Sequence, residues 1–199
     1  MSPNWEELAQ TLDQLIAADD NWESPMDGPA AGDKISRPLK SKMGYKAEYT
    51  LNCTPSELTE VVTDVTRRGE WDTFCAQIET LQKEPQVIYY CTHAQFMASA
   101  REEVMWVGSV DRNNATYVLG TSCTDEKYPV KGKGVKMSTK VAGHVIFPDT
   151  AGCRVIQVLD TDPGGMLPGS ITRRVATEKV PKMIQNLRRI VDGKSGSNE

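Results

Sequence analysis

Few residues of this chain stand where classical side-chain chemistry would need them. Its two histidines, His93 and His144, fall in separate strand-like runs, without a second conventional ligand at metal-binding spacing. For each, a hydrogen-bonded strand histidine is the expectation, and no metal or cofactor is expected. Glu102 and Glu103 are adjacent, so a strand sends them to opposite faces and they cannot form a carboxylate dyad. Ser-His-Asp and Cys-His sets can be assembled only from distant residues, and no G-x-S-x-G supports one. Gly132-Lys133-Gly134 lacks the rest of a phosphate loop. The lysines from Lys127 to Lys140 have only Tyr128 as a stacking partner, so a nucleic-acid interface is not expected.

Arg101 is more informative. It lies between Phe96-Met97-Ala98 and Val104-Met105-Trp106-Val107, a poor setting for a surface arginine. Turned into an apolar interior, its head group needs an anion, because an unpaired buried charge costs several kcal/mol. Glu103, two residues along the same strand face, another carboxylate or a ligand phosphate could supply one. Exposure at a loop–strand junction is the competing reading.

The elements that must position such a residue follow from periodicity. Pro3 to Ala18 is expected as a helix, and Thr54-Pro55-Ser56-Glu57 as a helix start with a capping box, ended by Arg67-Arg68-Gly69. Strands are expected at Ile35–Arg37, Tyr45–Leu51, Ile78–Gln82, Val87–Phe96, Glu102–Val110, Ala115–Cys123, Val135–Phe147 and Arg154–Thr161. Asp162-Pro163-Gly164-Gly165 then breaks the chain. A long amphipathic helix follows Pro168, with Ile171, Val175, Met183 or Ile184, Leu187 and Val191 on one side. Sequential strands joined by short turns imply one antiparallel sheet, strongly curled by its twist. The last helix is the element available to cover the concave face.

The totals agree with a single α+β domain of 199 residues, 39% hydrophobic and 25% charged. Net charge is −4. Residues 1–99 carry 8 Lys+Arg against 16 Asp+Glu, and residues 100–199 carry 15 against 11. The basic second half could meet phosphates of an anionic membrane. No apolar run approaches the ~18 residues of a membrane span, and the amino terminus lacks signal-peptide character. Five scattered cysteines without a C-x-x-C are expected as reduced, buried thiols in the cytosol or nucleus, with the cytoplasm as the expected compartment.

Gly69-Glu70-Trp71-Asp72 with Ile78-Glu79-Thr80-Leu81-Gln82, Ala100-Arg101-Glu102-Glu103-Val104, Asp162-Pro163-Gly164-Gly165-Met166-Leu167-Pro168 and Val180-Pro181 together resemble the START (StAR-related lipid transfer) domain family. The closing motif is most similar to its phosphatidylcholine-transfer branch. The resemblance spans the Trp5 helix to Val191; it implies one lipid-binding domain over residues 1–192 and a flexible tail over 193–199. It also implies a helix-grip fold in which a curved antiparallel sheet of seven to nine strands wraps the C-terminal helix around a tunnel. One phospholipid or sterol would be held there by a monomer that does no chemistry, with transient contact to anionic membranes. An enzyme on the same scaffold, a cyclase or hydrolase of an apolar substrate, and a lipid-sensing module are the alternatives.

On that scaffold Arg101 is expected as the polar anchor, with Glu103 either neutralising it or leaving it free for a phosphate. His93, Tyr117, Ser122 and Gln157 are further polar candidates. Leu159, Ile171 and Val175 are apolar ones, and Met97, Met105, Met137, Met166 and Met183 suit an adaptable lining. The Thr124–Gly134 loop, with Tyr128 and Pro129, and the turn Pro163-Gly164-Gly165-Met166 are expected as the gate. The acid that sterol-binding relatives carry one strand earlier has no counterpart near His93-Ala94-Gln95.

Overall fold

The computed structural model describes residues 2–94 and 98–195. Helix α1 (Trp5–Ala17) starts at Asn4, whose side chain accepts the Glu6 and Glu7 N–H groups. Strands β1 (Met26–Asp27), β2 (Lys34–Ser36) and β3 (Met43–Leu51) follow. Helix α2 (Pro55–Thr63) begins with the expected capping box. Thr54 Oγ1 accepts the Glu57 N–H at 3.3 Å, and Glu57 Oε2 accepts the Thr54 N–H at 2.8 Å. Its apolar face buries Leu58, Val61 and Val62. The short helix α3 (Arg68–Trp71) then leads into β4 (Cys75–Gln82), β5 (Val87–Thr92), β6 (Arg101–Arg112), β7 (Ala115–Ser122), β8 (Val135–Lys136), β9 (Ser138–Asp149) and β10 (Gly152–Asp162).

These strands form one ten-stranded sheet of order β1-β2-β3-β10-β9-β7-β6-β5-β4, with β8 added beside β6. The count exceeds seven to nine through the two-residue strands β1 and β8. The run expected as one strand from Val135 to Phe147 divides at Met137. Here the chain passes from parallel pairing with β6 to antiparallel pairing with β10, and the Met137 N–H donates to the Glu102 carbonyl. β5 stops at Thr92, short of Phe96. Phe96, Met97 and Gln95 lie outside the described residues.

The last helix has three parts: α4 (Gly169–Arg174), a π-helical segment (Val175–Lys179) and α5 (Val180–Ser195). It continues past the 192/193 boundary expected for a tail, and residues 196–199 lie outside the described residues. The Val180 N–H bonds the Val175 carbonyl five residues back. This extra residue turns both valines inward although five residues separate them. Val180, Met183, Ile184, Leu187 and Val191 are all at most 2% exposed, a gross hydrophobic contribution of roughly 8–15 kcal/mol before entropy is subtracted. They join Leu58, Val61 and Trp71 in the core under the concave face. On the convex face, Ala9 and Leu12 of α1 pack with Tyr117, Leu119 and Val145. Four of the five free cysteines are buried and Cys123 is half-buried; Cys53 Sγ and Cys153 Sγ lie 3.9 Å apart.

Candidate lipid cavity

Between the concave face and the last helix lies a cavity of about 930 Å³, part of it open to solvent. Strand parity sets the lining: Ile88 and Tyr90 of β5, and Glu103, Met105 and Val107 of β6, point in. Met43, Phe74, Met137, Ala142, Leu159 and Met183 complete the apolar wall.

Polar groups gather around α3. Arg68 Nε lies 2.8 Å from Asp72 Oδ2, with Arg68 29% exposed and Asp72 3% exposed at the side chain. The guanidinium sits 4.3 Å from the Trp71 ring centroid. The Tyr90 hydroxyl donates to Asp72 Oδ2 at 3.0 Å, and Asp72 Oδ1 accepts the Phe74 N–H at 2.9 Å. Burial works against the arginine's charge, but Asp72 and Tyr90 more than offset it, holding its pKa above the usual value. Among the described residues that line the cavity, Arg68 is the one Lys or Arg.

A second polar group surrounds Glu103. Its Oε2 accepts Ser122 Oγ at 2.7 Å and the Thr139 N–H at 3.2 Å, and its Oε1 accepts Thr139 Oγ1 at 2.7 Å. Burial pushes its carboxyl above the usual range despite these bonds. A third is closed on itself: Gln157 donates to Tyr45 Oη and accepts from Tyr49 Oη, both at 2.9 Å.

His144 lines the cavity beside Trp71, edge to face at 5.7 Å between ring centroids. It departs from the expected hydrogen-bonded strand histidine, because its buried Nε2, like Trp71 Nε1, has no hydrogen-bond partner among the described residues. Burial, with the nearby Arg68 charge, lowers its pKa to about 3. The folded protein therefore keeps it neutral while the unfolded chain takes a proton below about pH 6.5. This contribution to stability is complete above pH 6.5 and is lost as pH falls towards 3, at up to ~1.4 kcal/mol per pH unit. Urea titrations should show that loss between pH 6.5 and 5.5 for the native chain and not for His144→Phe; equal slopes would assign it to another group.

The residues expected at the site divide. Glu103, Met105, Met137, Gln157 and Leu159 line the cavity, as does Met183. Arg101 does not. Although only 7% exposed, it donates through Nε to the Pro163 carbonyl at 3.1 Å and through Nη1 to the Ser99 carbonyl. It forms no ion pair with Glu103; its bonds run instead to those carbonyls and tie β6 to the turn after β10. Ser122 stands behind Glu103. Tyr117 faces α1 on the convex side, donating to Asp13 at 2.8 Å. His93 is exposed, its N–H bonded to the Phe74 carbonyl. Val175 belongs to the core under the last helix, and Ile171 is half-buried outside the lining. Met166 is 96% exposed rather than lining.

The two expected gate segments also part. Tyr128 packs edge to face on Trp106 and bonds Gln82. Trp106 has the convex-face parity of β6, so Tyr128 and Pro129 belong to a loop folded on the outside of the sheet. Glu102 clasps that loop, accepting the Lys131 and Gly134 N–H groups at 3.1 and 3.2 Å. The turn Pro163–Met166 does adjoin the last helix. Gly164 and Gly165 have φ of +64° and +59°, and a Cβ on Gly164 would lie 2.2 Å from the Lys136 carbonyl oxygen, so glycine is required there.

Arg68, Asp72, Tyr90, Thr139 and Thr161 are among the polar lining residues that the sequence did not single out as site residues. The Gly69–Asp72 motif was the available signal, since it immediately follows Arg68.

Relatives share this architecture. Human StAR-related lipid transfer protein 5 superposes with a TM-score of 0.83 at 18% identity, covering 96% of this chain and 95% of that one. A STAR-related lipid transfer protein fragment from Xanthomonas axonopodis gives 0.71 at 20% identity, covering 86% and 99%. In sequence, phosphatidylcholine transfer protein of Mus musculus is 26% identical over 168 residues, 79% of this chain and 78% of that protein. Ceramide transfer protein of Homo sapiens is 22% identical over 181 residues, again 79% of this chain but only 28% of that protein. The START domain sequence model matches residues 4–194, so a sheet curled on a final helix around an apolar cavity is here the fold of a member of the START domain family.

Proposed function

We propose that the protein is a non-enzymatic carrier that takes one lipid, a phospholipid or sterol, into the cavity and moves it between membranes as a monomer in the cytoplasm. The observation that carries this reading is the apolar cavity between β5, β6 and α5, with Arg68 as the one arginine among the described residues of its wall. Apolar surface removed from water contributes ~25 cal/mol per Å², which can offset extraction from a bilayer. The relatives named for phosphatidylcholine and ceramide transfer support the same class of cargo.

In this reading the polar anchor is Arg68 rather than Arg101. Glu103, Met105, Met137, Gln157 and Leu159 contact the cargo. Arg101 acts on the gate by holding the Pro163 carbonyl. The α4 end is the end that opens. Met166 is exposed beside it, and Arg173 and Arg174 are exposed on α4 itself. Such residues suit brief contact with an anionic bilayer, each basic side chain contributing ~1 kcal/mol near the surface.

Purified protein should move fluorescent lipid between vesicles, faster towards anionic acceptors. Ala142→Phe, which places a ring in the cavity beside Met105 and Met137, should lower transfer by at least about tenfold through the lost cargo volume while keeping the native circular dichroism spectrum. Undiminished transfer by a folded Ala142→Phe protein would place the lipid elsewhere.

A further inference from the structure

We infer that Glu103 makes the cavity selective for lipids whose polar end donates a hydrogen bond, through a hydroxyl, an amide N–H or a primary ammonium, over lipids whose head group has no donor. The inference rests on the carrier reading and narrows its cargo.

Two arginines could neutralise Glu103, and neither pairs with it. Arg68 is committed to Asp72 at 2.8 Å, and Arg101 to the Pro163 and Ser99 carbonyls. The cavity wall thus contains one matched ion pair and one carboxyl without a cation. Burying such a group is costly unless its oxygens are satisfied. Yet it is 2% exposed and held by the hydroxyls of Ser122 and Thr139 and the Thr139 N–H. Thr139 is itself braced, its Oγ1 lying 3.1 Å from Thr161 Oγ1. This is an oriented group, not one left to find its own contacts.

Acceptor capacity comes next. A carboxylate offers about four acceptor sites. Three are used, two on Oε2 and one on Oε1, which leaves Oε1 with a site to spare on a residue that lines the cavity. No side chain of the described residues supplies that fourth donor.

Register then sets the spacing. Glu103 pairs directly with Tyr90 across β5 and β6. Paired residues have Cα atoms ~4.5–5.5 Å apart and side chains on one face, and the Tyr90 hydroxyl reaches Asp72, the partner of Arg68. The acceptor and the Arg68 donor therefore both belong to the wall of the one cavity. A lipid matched to both has an oxygen acceptor and a hydrogen-bond donor at the head of its apolar chains. A quaternary ammonium supplies charge but no N–H to the spare site.

The test offers the purified full chain mixed vesicles holding ceramide, diacylglycerol, phosphatidylethanolamine and phosphatidylcholine of matched acyl length, then identifies the bound lipid by mass spectrometry. Donor-bearing lipids should exceed phosphatidylcholine by about 10–100-fold, as expected for one hydrogen bond to a charged group. The ceramide and diacylglycerol arms report a hydroxyl, and the phosphatidylethanolamine arm an ammonium. Glu103→Gln, close in shape, should reduce the preference by about tenfold or more for the ammonium and less for the hydroxyls, and Glu103→Met should abolish it. Equal capture of all four lipids by the native chain, or an unchanged preference in folded Glu103→Met, would overturn the inference and leave the carrier reading standing. Capture of none of them would overturn both. The native-chain competition decides the matter if the variants do not fold.

Discussion

Arg188→Met is expected to lower the unfolding free energy by about 4–5 kcal/mol and the melting temperature by ~8–20 °C for a domain of this size. The arginine lies on α5 and its fork closes on Asp33 in the loop before β2. Nη1 meets Oδ2 at 2.8 Å and Nη2 meets Oδ1 at 2.7 Å, with a third bond from Nη2 to the Thr50 carbonyl at 3.2 Å. Asp33 is 2% exposed. Removing the arginine leaves that carboxylate with the Ala30 N–H on Oδ2 and takes the fork donor from Oδ1, which is why the upper part of the range applies. Arg188→Lys should retain part of the loss as a point charge without the fork. Asp33→Leu combined with Arg188→Met should recover much of it, because the desolvated anion is then gone. Urea denaturation of the four proteins checks this; a loss below 1 kcal/mol for Arg188→Met would mean that water takes the arginine's place. The pair also bears on opening. It fastens the carboxy-terminal half of α5 to β3 and to the loop before β2, which in the proposed carrier leaves α4, with its exposed Arg173 and Arg174, as the end that opens.

Much of this architecture was legible in the sequence because it is written in local periods. Val155, Gln157 and Leu159 alternate through β10, and Thr54-Pro55-Ser56-Glu57 states the start of α2 without reference to the remaining chain. The last helix was legible only in part. From Val175 a 3.6-residue period leads to Glu178 and Lys179, which are polar, so the apolar stripe looks broken until Met183; the π segment adds the residue that brings Val180 inward. The site was least legible. Arg68 reads as the basic end of α2, and the Gly69–Asp72 motif beside it, though a signal, does not reveal that α3 tucks beneath the sheet where β5 supplies Tyr90. Arg101 has more apolar neighbours in sequence and was the natural choice, but its partner is the carbonyl of Pro163, 62 residues away. Tyr128 failed as a gate for a related reason, since its position follows from the outward parity of Trp106, a fact about another strand. Chemistry that depends on which strand face a distant loop reaches is not encoded in any window of the chain.

Arg68→Met is expected to lower stability by about 3 kcal/mol, or ~6–12 °C, and to abolish lipid capture. The stability loss lies at the low end for a broken buried pair because Asp72 keeps the Tyr90 hydroxyl and the Phe74 N–H. Those two contacts make the double variant informative. Arg68→Met with Asp72→Leu removes both charges, and apolar replacement of a buried pair is often neutral or stabilising, so the melting temperature should return to within a few degrees of the native value. If the ion pair only supports the fold, transfer returns with stability. If Arg68 holds the cargo's oxygen, the double variant is stable and still does not carry lipid, because its cavity no longer has a cationic donor. Arg68→Lys adds a third point: it keeps the charge but loses the guanidinium's contact with the Trp71 ring, 4.3 Å from the ring centroid, and should retain weak capture. Measuring melting temperature and bound lipid on the same samples separates the two roles, since only the anchor role predicts a stable protein that stays empty.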